Sequence, residues 1–445
     1  MTQEPRINVE VTEPEGGPGP SADRLAEWAR RLPTGPWFGM RLEKTGESPR
    51  IPSTEWELTG RPYQGQIATG RAAVYLSPQH RHLTRPFVFA DGFNYGPSDL
   101  PALWNHLNQP YRPVGDGFLD QLLDAGIDVI LLGFDARHTH IQANAGVAMA
   151  CIMRAAQEMP RGEQQIVGGL SMGGVVTRYA LAELERTRMD HRTGTYLSYD
   201  TPHNGAWIPL VLQQMAHFFE KFLPDPPDGG VKLAELLRSP AAQQLLWGWV
   251  ADDRYSGPVA ANRLRQQLLD DLGRLGGFPA IPVKLGVVSG AGNGVGRELP
   301  PGEAAFSSDI PDLVSIEARF QPDFGERQPI GHMSLQGFGG RRSDTTAVAA
   351  FDGAPGGTFK TFGAITDPLG IPIEDAYRYS CFVPSVSAVA LTEENLEWPH
   401  CLGTDISSLA PDRYALDEIC CETGNTEHGS VSQQLMEWIL IRLAK

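Results

Sequence analysis

Ser171 stands between two glycine pairs in GGLSMGGVVTRYAL, residues 168 to 181, with an apolar run before it and a helix-like stretch after it. Gly169-Leu170-Ser171-Met172-Gly173 fits G-x-S-x-G, the sharp strand-to-helix turn that presents a nucleophilic serine. A serine hydroxyl attacks poorly until a base takes its proton, so the turn does chemistry only with partners. The base is expected on a loop late in the chain. Of the eleven histidines, His428, in ETGNTEHG ahead of the final helical stretch, is the first candidate, and His400, in EWPHCLG, the second. Asp200 closes the run TYLSYD after the serine helix and is the favoured acid. Asp352, in FDGAPGG, Asp309 and Asp312 are the alternatives, because the later run VKLGVVSGAGNGVG ends without a carboxylate.

An oxyanion needs N–H donors aimed at the place where its charge develops. Met172, first residue of the new helix, offers one. The second is expected from PFVFADGFNYG, where Gly92 lets the backbone come close and Phe93 donates. Asn94, Tyr95, His138, His203 and Trp207 are the candidate substrate-lining residues, although His203, in TPHNG, reads as a residue that ties its turn together rather than as a base. The pairs His80/His82 and His138/His140 have the i, i+2 spacing that puts two imidazoles on one strand face. No further ligands stand near them in sequence, so neither a metal nor any other cofactor is expected.

Elements that could position these groups follow in order. Apolar runs at 86–90, 127–134, 165–170, 195–199, 283–289 and 381–391 alternate with helical stretches such as NAGVAMACIMRAAQEM and SVSQQLMEWILIRLA. Runs buried on both faces and separated by helices predict an α/β fold with a mostly parallel central sheet covered on both sides. The core is expected over 51–205, 280–295 and 379–445, with a helical cap at 206–279 and a Gly/Pro-rich β insertion at 296–378. Residues 1–50 read as an arm, mobile over the Pro/Gly/Glu-rich first part, followed by a short helix in ADRLAEWARRL.

The 445-residue chain is 41% apolar and 20% charged, with a formal net charge of −16. That acidity disfavours nucleic acid and anionic membrane surfaces as partners. No run reaches the ~18 to 20 apolar residues of a membrane span. MTQEPRINVEVTEPEGGPGP has neither the basic nor the apolar region of a signal peptide, so the expected location is cytoplasmic. Five cysteines, none in a C-x-x-C pair, read as reduced thiols, with Cys381 in the core. The sequence does not specify an oligomeric state.

Taken together, DGFNYG, ARHTHIQANAG, GGLSMGGVVTRYAL, YLSYDTPHNGAWIPLVLQ and NTEHGSV resemble the lipase/esterase side of the α/β-hydrolase superfamily, in particular a bacterial group of hydrolases. The stretch containing TPHNGA is similar to the T-P-H-x-G segment of triacylglycerol lipases and GPI-inositol-deacylase-like esterases. The resemblance covers roughly residues 85–210 and 380–445. It implies nucleophile Ser171, base His428, oxyanion donors Phe93 and Met172, and an acid after the strand that follows the serine helix, which is Asp200. The function so implied is hydrolysis of a small-molecule carboxylic ester with an apolar group. A thioesterase, lactonase or transacylase/cyclase is the alternative, and a non-catalytic binding protein on a hydrolase scaffold ranks behind both.

Overall fold

The computed structural model describes residues 3–14, 19–32, 50–113, 115–226, 230–392 and 395–444. Its strands, in chain order, begin with β1 (Arg6–Thr12), β2 (Thr54–Thr59), β3 (Thr69–Tyr75), β4 (Pro86–Ala90), β5 (Asp128–Phe134), β6 (Gln165–Leu170) and β7 (Thr193–Tyr199). Next come β8 (Gly257–Pro258), β9 (Val283–Ala291), β10 (Ala304–Ile310), β11 (Val314–Arg319), β12 (Gln328–Leu335) and β13 (Gly339–Thr346). The last three are β14 (Gly356–Phe359), β15 (Ser380–Pro384) and β16 (Glu418–Glu422).

Every residue of β4, β5 and β6 is buried, which is why these strands read as unbroken apolar runs rather than alternating ones. They lie in the middle of an eight-stranded sheet of order β16-β9-β7-β6-β4-β5-β3-β2. Pairing is parallel from β16 to β5 and antiparallel for β3 and β2. Alternate residues of β4 serve the two faces. Phe87 and Phe89 join Leu103, Leu119 and Leu435, from the helices Leu100–Leu107, Phe118–Asp124 and Gln433–Leu443. Val88 and Ala90 join Ile152 and Val176, from the helices Ile141–Glu158 and Met172–Arg186. The chain is thus mixed α/β, with a large, mostly parallel sheet. Its parallel strands end on one rim, the usual place for a ligand site in an open α/β sheet.

Two expectations fail here. The run 381–391 is not the last parallel strand: β15 pairs antiparallel with β14 in a separate two-stranded sheet, and Ser385–Ala388 turns into a helix. The outermost parallel strand is β16, EICCE, which pairs with β9 alone. An edge strand buries less of itself: Glu418 is exposed and Ile419, Cys420 and Cys421 are half-buried, so no apolar run marks it. The described residues of the N-terminal segment are not a bare arm either. RINVEVT forms β1, which pairs with β13 along all seven residues and with β8 on its other side, and Ile7 is fully buried. Its alternating apolar positions were masked by the Pro/Gly/Glu-rich surroundings. The expected short helix is present as Ala22–Ala29, capped by Ser21 and packed through Trp28 on Phe219. Residues 33–49 of the same segment lie outside the described residues.

A second, antiparallel sheet of order β10-β11-β12-β13-β1-β8 draws on the N-terminal segment and on both stretches that interrupt the α/β alternation. Leu212, Met215 and Phe218 of the helix Leu210–Phe219 share one apolar cluster with Ile316, Ala318 and Met333 of that sheet. Among the described residues no helix is long and apolar enough to cross a membrane.

Candidate active site

β6 ends at Leu170 and the helix Met172–Arg186 begins at Met172, so the whole reversal falls on Ser171. Its backbone takes φ 54° and ψ −121°, a conformation that costs a non-glycine residue about 1–3 kcal/mol and survives only where the surroundings enforce it. Glycine is required beside it. A Cβ on Gly173 would run into the carbonyl oxygens of Ala90 and Asp91, and one on Gly169 into the backbone of Gly173. The turn is pinned to the next strand by Ser171 N–H, which donates to Tyr199 O at 2.9 Å.

Asp200 follows Tyr199 and also leaves its strand with positive φ, 45°. Its N–H donates to Val287 O on β9 at 2.8 Å, which turns the fully buried carboxylate along the sheet rim. There Oδ1 accepts from Ser289 N–H at 3.1 Å, and Oδ2 accepts from His428 Nδ1 at 2.7 Å and Gly429 N–H at 3.4 Å. Because a carboxylate only accepts, Nδ1 carries the proton and Nε2 is left with its lone pair. That Nε2 is buried and has no hydrogen-bond partner among the described residues, Ser171 Oγ included. His428 is 4% exposed and Ser171 6%, and the edges of Phe359 and Phe382 flank the imidazole at 5.3 and 5.0 Å between ring centres. Both phenylalanines come from the β14/β15 pair, so that pair covers the histidine.

The loop after β4 is held chiefly by Arg137, which sequence reading did not single out. Arg137 donates from Nη1 to Asp91 Oδ2 at 3.2 Å, from Nη2 to Tyr95 O at 3.2 Å and from Nε to Gly96 O at 3.3 Å. The other Asp91 oxygen accepts from Gly92 N–H at 2.8 Å. His138 Nδ1 accepts from Gly96 N–H at 3.3 Å while its ring stacks on Tyr95 at 4.5 Å, and burial holds its pKa down. Phe93 and Asn94 therefore sit in a braced turn. Met172, fully buried, opens its helix, and a helix's first N–H has no acceptor within the helix.

The histidine loop is braced in the same manner. Thr426 N–H donates to Ser289 O at 2.9 Å, Gly429 N–H to Ser289 Oγ at 3.1 Å, and His106 Nε2 to Gly429 O at 2.9 Å. Ser289 thus holds Asp200 and the His428 loop at once. No sequence signal marks it, because its partners lie in distant segments.

The remaining candidates lie elsewhere. His203 is buried with both nitrogens engaged: Nδ1 accepts from Arg178 Nη1 at 3.3 Å, and Nε2 donates to Ser198 Oγ at 2.9 Å. Burial, then the Arg178 charge, pushes its pKa well down, so the ring is neutral and tied in. Trp207 is fully buried, stacked on Phe351 at 4.4 Å, and donates to Asp352 Oδ1 at 2.7 Å. Asp352 spends its other oxygen on Gln321 N–H, at 2.6 Å, and does not reach a histidine. Asp309 and Asp312 are exposed around the β10/β11 hairpin, and His400 stacks on Phe324 at 4.0 Å. His80, in the loop between β3 and β4, bonds through Nδ1 to Oδ1 of Asp128, the first residue of β5, at 2.9 Å.

No family model and no curated protein matches the chain. Solved structures similar to parts of it include the mature Bacillus licheniformis lipase BlEst2, at 16% identity over 53% of this chain and 72% of that one, with a TM-score of 0.28. A Pyrobaculum calidifontis esterase matches at 12% identity over 59% and 79%, with a TM-score of 0.28. The rice cell wall degrading esterase LipA of Xanthomonas oryzae matches at 13% identity over 37% and 44%, with a TM-score of 0.27. Likenesses this distant say nothing about chemistry.

Proposed function

We propose that the chain is a serine hydrolase of the α/β-hydrolase type that cleaves a carboxylic ester bearing an apolar group. Ser171 Oγ attacks the ester carbonyl and His428 Nε2 takes its proton. The tetrahedral oxyanion is held by the N–H groups of Phe93 and Met172, and Asp200 fixes the imidazole tautomer and stabilises the imidazolium. Collapse expels the alcohol, which receives the proton from His428. Water then repeats the cycle on the acyl-serine, releasing the acid and the free hydroxyl. No step needs a metal or a redox cofactor.

The observation that carries this reading is the 2.7 Å contact from His428 Nδ1 to Asp200, one residue beyond the Tyr199 carbonyl that receives the Ser171 N–H. Nucleophile turn and acid–base pair are thereby anchored to consecutive residues. In the free enzyme a catalytic hydrogen bond is often open and closes around substrate. A fluorophosphonate probe should label the wild type and fail on Ser171→Ala; labelling that persists in the variant would refute the nucleophile.

The low exposure of Ser171 and His428 favours a second reading of the same site, in which an alcohol rather than water receives the acyl group. Supplying an acyl ester with and without an alcohol acceptor separates the two by product.

A further inference from the structure

Beyond β9 two adjoining cavities, of about 340 and about 520 Å³, meet at Gly296, Arg297 and Leu299. Among the described residues Arg297 is the one arginine or lysine that lines them, and its hydrogen bonding is incomplete. Its Nη2 donates to Ala376 O at 2.9 Å, while Nε is buried without a partner among the described residues. Its guanidinium carbon lies 5.8 Å from the centre of the Tyr379 ring, and no carboxylate among the described residues acts on it. Burial lowers its pKa accordingly. Glu298 and Asp323 line the cavities without pairing to it. Leu299, Ala349, Ala354, Pro355 and Leu402 supply the apolar part of the larger cavity's mixed lining, which also includes the stacked Phe324 and His400.

A single guanidinium with an unfilled donor suits one negative charge. The nearby Glu298 and Asp323 disfavour a dianion such as phosphate, and the walls suit a hydrocarbon tail. We infer that these cavities bind a monocarboxylic acid, its carboxylate on Arg297 and its tail along Leu299 and Leu402. The site abuts the acid–base pair. Its wall at Gly353–Pro355 runs directly into Gly357, where a Cβ would collide with Asp200 Oδ2 and come within 3.2 Å of His428 Cα. Asn425, lining the smaller cavity, accepts from Gly356 N–H at 2.9 Å and Ala291 N–H at 3.0 Å. The bound acid is either the enzyme's own product or substrate end, or a separate ligand.

Hexanoate is the probe and hexan-1-ol, the same tail without charge, the control. Binding is measured calorimetrically on Ser171→Ala, so the result does not depend on turnover or on the proposed hydrolysis. Hexanoate should bind at least tenfold more tightly than hexanol, Arg297→Gln should remove that preference, and Arg297→Lys should restore part of it. Equal binding of acid and alcohol, or undiminished binding of hexanoate by Arg297→Gln with native circular dichroism, overturns the inference. Kinetics of the wild type on a neutral p-nitrophenyl ester then distinguish the two sources. A rise in KM alone marks a site on the substrate path, and a change in kcat at constant KM marks a separate ligand; each presupposes the Arg297-dependent binding.

Discussion

At the scale of single residues, two buried aspartates carry opposite assignments, and exchanging each for asparagine separates them. Asp200 accepts from His428 Nδ1 and from two backbone N–H groups, whereas Asp352 accepts from Trp207 and Gln321. Asp200→Asn should lower kcat by roughly 10³ to 10⁴, because an amide in that place no longer enforces the Nδ1–H tautomer. Asp352→Asn should leave kcat near wild type, and steady-state kinetics on a p-nitrophenyl ester measure both. The reverse result would hand the acid role to Asp352. The turn at Ser171 is legible in the sequence because it is made of neighbours: two glycines and a strand-to-helix change within a few positions. The contact of His428 with Asp200 is not, since 228 positions separate them and only the glycine-bearing loop near the end of the chain points to that histidine. Arg137, Ser289 and His106 could not be found that way, since what each does depends on partners far along the chain.

Among elements, the parallel strands were legible wherever both faces are buried, as in β4, β5 and β6. Legibility failed at the edges. β16 carries glutamates at both ends, and β15 kept its apolar run while joining a different sheet. In β1 the short alternation RINVEVT was outweighed by the composition around it, although its partner strands fix all seven residues. The buried Ile7 tests that assignment. Ile7→Ala should cost about 2–4 kcal/mol in urea unfolding, as for a filled core position, and leave kcat unchanged. A cost near zero would mean that the first strand contributes nothing to the fold.

For the molecule as a whole, Asp352 joins Trp207, just before the helix Leu210–Phe219, to Gln321, just after β11. Burial raises its pKa to about 6, against the opposing pull of those two donors. A carboxyl raised in the folded state is protonated in both states at low pH and costs nothing there. Between about pH 4 and 6 the unfolded chain ionises first, and folding loses on the order of 3 kcal/mol by pH 7 from this group. Asp352→Asn should therefore flatten the fall in stability across that window, as read by urea midpoints from pH 4 to 7 in parallel with the wild type. An unchanged difference between the two proteins at every pH would dispose of this linkage.

The pairing of β1 with β13 also sets a schedule for synthesis. β1 is synthesised long before the partner that covers all seven of its residues, which ends at Thr346. At typical elongation rates of about 5–20 residues per second, roughly 20 to 60 s pass before the two can meet. Through that interval a nascent segment with a free β edge is available to chaperones, proteases or a neighbouring polypeptide.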